Sequence, residues 1–131
     1  MIWLNRTIEP IFNVDRDFLL EYKKECDRYL AGIKHILTKQ LVDYTVYCDL
    51  NGLYRSFGHL ISELLHETIE ERKVYDQLKK DIEVETNAFL QGLKGTLPED
   101  VIDQVIQQVN LFTTQLKKFY YVLETVCYVG G

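Results

Sequence analysis

Apolar residues recur along this chain with an eleven-residue period, and that period is what most constrains its fold. From Leu19 the positions run Leu19, Tyr22, Cys26, Leu30, Ile33, Leu37, Leu41, Tyr44 and Cys48, a repeated 3–4–4 spacing. The period returns near the C-terminus as Val101, Val105, Val109, Phe112, Leu116, Tyr120, Leu123 and Cys127. Eleven residues over three turns is about 3.67 per turn, which pairs helices straight or with a slight right-handed supercoil. No segment alternates with the two-residue period of a strand. The expected fold class is therefore all-α, an elongated antiparallel helical bundle.

Breaks in the pattern divide the chain. Only two prolines and seven glycines interrupt it. Asn13 can cap a first helix, with Asp15 and Asp17 favouring its positive end. Asn51-Gly52 reads as a stop and turn. Thr96 with Glu99 reads as a capping box, with Pro98 in the first turn. These signals predict one domain over 1–131, with an N-terminal arm (1–13) and three long helices (14–49, 53–93 and 96–128). The middle helix carries its apolar seam on Leu53, Phe57, Leu60 and Leu64, then on Tyr75, Leu78, Ile82, Phe89 and Leu93. Thr68 and Glu71 interrupt that seam. A break near 67–73 turns three helices into four.

Composition narrows the function. The chain has 131 residues, 47% of them hydrophobic and 27% charged, as a folded globular domain has. Net charge is −5, and the largest basic clusters are the pairs Lys23-Lys24, Lys79-Lys80 and Lys117-Lys118. Nucleic-acid binders present a basic stripe, so no nucleic-acid partner is expected. No run approaches the roughly 20 apolar residues of a membrane span. The start, MIWLNRTIEP, has no basic region before its short apolar run, so no signal peptide is expected. A soluble protein, intracellular or in a virion, is the resulting expectation.

Each candidate site competes with a simpler packing role. His59, Glu63 and His66 share one helical face at spacings of four and three. They are weak candidates for metal ligands, because that face lies some 100° from the apolar stripe. A di-iron bundle also needs a second Glu-x-x-His, and residue 32, three before His35, is glycine. Cys26, Cys48 and Cys127 all fall on the stripes, where small buried hydrophobes sit. The three-helix topology puts Cys48 and Cys127 at one pole, which leaves a disulfide between them open. No catalytic, phosphate-binding or H-E-x-x-H motif is present. No enzyme activity and no cofactor are expected.

The remaining candidates are contact residues. Ile2, Trp3, Leu4 and Ile8 make the arm apolar; it either covers an overhang of the bundle or docks on another subunit. Tyr44, Tyr47, Tyr54, Tyr120, Tyr121 and Tyr128 are expected to gather at one pole, as a cap on the core or a surface for self-association. Of these, Tyr47, Tyr54, Tyr121 and Tyr128 join the four arm residues as candidate interaction residues. The expected role is a self-associating structural subunit of a coat, filament or virion. The alternative is a helical adaptor or chaperone holding a partner helix in a groove.

Overall fold

The computed structural model describes residues 9–130. It is an all-helical bundle of four helices: α1 (Arg16–Thr38), α2 (Tyr44–Leu65), α3 (Arg72–Leu93) and α4 (Glu99–Val122). A single π-helical turn, Leu123–Cys127, extends α4. Short loops join the helices, so each runs antiparallel to the one before.

The helix expected over 53–93 is not continuous: it breaks at 66–71, where Thr68 and Glu71 interrupt its seam. Glu67 takes the left-handed conformation (φ 56°) that stops α2. Thr68 then bonds back to the Glu63 carbonyl through its amide (3.0 Å) and its hydroxyl (3.1 Å). The first boundary differs from expectation. Asn51-Gly52 lies inside α2, and the chain reverses at 39–43 instead. Thr38 Oγ1 donates to the His35 carbonyl (2.8 Å), and the Lys39 and Gln40 amides close on Ile36 and Leu37. The period conceals this reversal because Leu41, Tyr44 and Cys48 keep its spacing while standing exposed. Val46, Leu50, Leu53, Phe57, Leu60 and Leu64 form the true buried stripe of α2. Two caps also shift. Asp15 caps α1 by accepting the Phe18 amide (3.1 Å). Thr96 Oγ1 donates to Leu93 O (2.8 Å), closing α3 rather than opening α4.

Packing is uneven around the bundle. The closest helix pairs are α2 with α3 and α1 with α4. Glycine stands at these contacts: a Cβ on Gly92 would lie 2.8 Å from Asp49 Oδ2, and one on Gly32 would lie 3.0 Å from Gln108 Oε1. Gly52 likewise leaves room for the Glu85 carboxylate, which explains a glycine within a helix. Across the centre, Phe57 of α2 and Phe112 of α4 meet edge to face at 5.5 Å. Both are buried, each side chain contributing roughly 1.5–3 kcal/mol.

The arm and the C-terminal tail close one pole together. Phe12 pairs antiparallel with Tyr128, the Asn13 amide bonds to Cys127 O (2.8 Å), and the Val129 amide bonds to Ile11 O (2.7 Å). Ile11 also donates to Ile69 O (2.9 Å), tying in the α2–α3 loop. Ile11 and Phe12 are thus buried by their own chain. Ile2, Trp3, Leu4 and Ile8 lie outside the described residues. The extra reversal at 66–71 turns α4 end for end, so α4 finishes at the arm's pole while α2 starts at the opposite one. Tyr44 and Tyr47 therefore lie there and Tyr120, Tyr121 and Tyr128 here, so the expected single tyrosine-rich pole does not form. Cys48 and Cys127 are separated in the same way, and all three cysteines are free.

Candidate interaction groove

Where α3 and α4 face each other they stand further apart than the two tight pairs, and a half-open groove of about 470 Å³ runs between them. Its floor is apolar: Ile82 from α3, with Val109 and Leu116 from α4, all buried. Thr86 is also buried there, its hydroxyl satisfied by the Ile82 carbonyl (2.7 Å). The rims carry Glu83, Asn87 and Leu90 on α3 and Asn110, Thr113 and Lys117 on α4. Asn87, Asn110 and Thr113 are short side chains and leave the gap between the two helices unfilled. That is why the groove stays open.

Lys79 and Tyr120 line one end of the groove, next to the π turn. A π turn shifts the register of a helix by one residue; here Leu123 and Cys127 both stay buried while Glu124 reaches α3. Glu124 accepts hydrogen bonds from Arg72 Nη2 (2.5 Å), Tyr75 Oη (2.9 Å) and Lys79 Nζ (3.0 Å). Lys79 also sits over the rings of Tyr75 (5.1 Å) and Tyr120 (4.9 Å). Burial pushes the Glu124 carboxyl up, yet the bonds from Lys79 and Tyr75 and the charges of Lys79 and Arg72 outweigh it. The carboxyl ends below the usual glutamate range. Burial raises Tyr75 and Tyr120, and it pushes the Cys26 thiol up to about 12. These three groups stay neutral near pH 7. The cluster ties α3 to the end of α4 and offers no activated nucleophile.

The residues singled out from sequence fall elsewhere. His59 Nε2 pairs with Glu63 Oε1 (3.2 Å), while His66 Nδ1 lies 2.7 Å from the Ser62 carbonyl at the end of α2. Glu63 also receives the Thr68 hydroxyl. Each side chain is engaged locally, and no three His, Cys, Asp or Glu groups converge on a metal-sized point among the described residues. Tyr47 donates to Leu37 O (3.2 Å) across the α1–α2 seam. Tyr54 is half-buried on that seam, and burial and the charge of Asp27 raise its hydroxyl. Tyr121 is exposed, and Tyr128 packs on Phe12 (5.7 Å) beneath Arg72.

Sequence reasoning missed the groove. A signal for it does exist. On α4, Ile106, Asn110, Thr113 and Lys117 follow 4–3–4 spacing beside the buried stripe, and Asn87 occupies the facing flank of α3. Short polar residues on two facing flanks mark an unfilled seam. Among the described residues, no helix is long and apolar enough to cross a membrane. Compared with protein-family models, with curated proteins and with solved structures, the chain matches none.

Proposed function

We propose that this chain is a non-catalytic assembly subunit, a helical bundle that associates with copies of itself through the α3–α4 groove, as a coat, filament or virion component does. The groove is the observation that carries the reading: a half-open cleft with an apolar floor lies between α3 and α4, left unfilled where Asn87, Asn110 and Thr113 line its rims. Filling such a cleft with a partner's apolar side chains favours association through the packing contacts it gains, and the rim groups set its register. The neutral Cys26, Tyr75 and Tyr120 and the locally paired His59 and Glu63 fit a protein that binds rather than reacts.

Light scattering over a wide concentration range tests this on three proteins. They are the full chain, a chain beginning at Glu9, and Asn110→Trp, which fills the groove from an exposed rim position. The cut falls at Glu9 because Ile11 and Phe12 belong to the core. Mass that grows with concentration in the full chain and not in Asn110→Trp is the expected result. The Glu9 chain reports whether Ile2, Trp3, Leu4 and Ile8 add to the contact. A full chain that remains monomeric throughout contradicts self-assembly.

The groove's length favours a second reading. Lys79 to Leu90 spans about 16 Å of α3, enough to cradle three turns of a partner helix. A monomeric full chain would direct attention to that adaptor role.

A further inference from the structure

We propose that the occupant of the groove is the α1–α2 loop of a second copy, residues 39–44. This inference rests on the assembly reading above and names its contact.

The loop is unusual in three respects. Leu41 is fully exposed (101%) and Tyr44 nearly so (80%), although both keep the period of the buried stripes. Exposed apolar residues are common singly; two together on a loop at one pole form a projecting knob. Next, Asp43 occupies the N-cap position of α2, yet its carboxylate makes no capping bond. Finally, residues 41–43 are irregular, with Asp43 extended, and the amides of Leu41, Val42 and Asp43 have no hydrogen-bond partner among the described residues.

Groove and loop complement one another. Lys39 and Asp43 flank Leu41, and neither has an ion pair among the described residues. Glu83 and Lys117 stand on opposite rims of the groove, also without ion pairs there. A docked loop sets Lys39 against Glu83 and Asp43 against Lys117, with Leu41 and Tyr44 over Ile82, Val109 and Leu116. The Asn87 and Asn110 side-chain amides are placed to meet the free loop backbone. A volume of about 470 Å³ lies within the range of sites that enclose small ligands, and it takes two such side chains. Within one chain the loop belongs to the α1–α2 side, opposite the groove, so docking joins different copies. Knob and groove are different patches, which makes the contact head-to-side. It builds a ring if the rotation closes and an open chain if it does not.

Mixing experiments test this by light scattering, with circular dichroism to confirm folding. Leu41→Asp removes the knob and Asn110→Trp blocks the groove, both at exposed positions; Asn87→Trp serves as a second block. Each variant alone is expected to remain monomeric. An equimolar mixture of Leu41→Asp and Asn110→Trp keeps one intact knob and one intact groove, so it should stop at a one-to-one dimer. Lys117→Glu should weaken wild-type association about fivefold, and adding Asp43→Lys should restore it. Association lost in both groove variants but untouched by Leu41→Asp overturns the loop as occupant and leaves the groove reading standing. Association untouched by either block sinks both readings, as does a wild-type monomer at every concentration.

Discussion

The α1–α2 and α3–α4 seams lie on opposite sides of one bundle, yet only the second is open. Both flank the same core, and both are looser than the two glycine-lined pairs. Across α1–α2, long amphipathic side chains fill the gap: Tyr47 reaches the Leu37 carbonyl and Tyr54 lies half-buried near Asp27. Across α3–α4 the shorter Asn87, Asn110 and Thr113 stand at the middle of the seam, and a groove remains. Helix spacing and side-chain reach at a few rim positions together decide which seam of this bundle is closed and which is open.

The core beneath both seams should be the most sensitive element. Phe112→Ala removes the ring that meets Phe57 and should lower stability by about 3–5 kcal/mol in chemical denaturation. A loss under about 1 kcal/mol would show that the two seams do not share this floor. Tyr54→Ala should open the closed seam at about 2 kcal/mol and create a new site for hydrophobic dyes on the α1–α2 side. If stability holds and no dye binds, tyrosine reach is not what seals it.

Glu124→Gln tests the end of the open seam and should lose about 1.5 kcal/mol at neutral pH. The folded carboxyl titrates below its unfolded value near 4.3, so its contribution is present above that pH. It disappears as pH falls through the lower folded value. The stability gap between wild type and variant should therefore close in acid; a gap that widens there would contradict the placement of Glu124. The smallest effect is a gain. Asn110→Leu should stabilise the isolated chain by about 0.5–1 kcal/mol, as partial filling of a void does. A loss would mean that the rim is not adjacent to unfilled space.

The two seams also differ in how far the sequence exposes them. Buried stripes on α1, α3 and α4 are legible, because Leu19 to Leu37, Tyr75 to Leu93 and Val101 to Cys127 keep helical spacing and are packed as that spacing implies. The break at 66–71 is half legible: Thr68 and Glu71 mark the place, but the seam resumes at Tyr75 in a way that one continuous helix over 53–93 also satisfies. The reversal at 39–43 is not legible: it has neither glycine nor proline, and Leu41 and Tyr44 continue the period by coincidence of spacing. Asn51-Gly52 misleads for the complementary reason, since Gly52 serves the approach of α2 to α3. The groove is invisible to hydrophobic periodicity because its floor residues look like any other core residues. Only the short polar flanks at Asn87 and Asn110 betray it.

Amide NMR of the full-length chain, followed from micromolar to millimolar concentration, probes the central claim most directly. Shifts confined to 39–44 and to the facing flanks of α3 and α4 are expected, with the α1–α2 seam silent. Shifts that map to the Tyr47–Tyr54 face, or spectra that do not change at all, would contradict the open α3–α4 seam as the binding face.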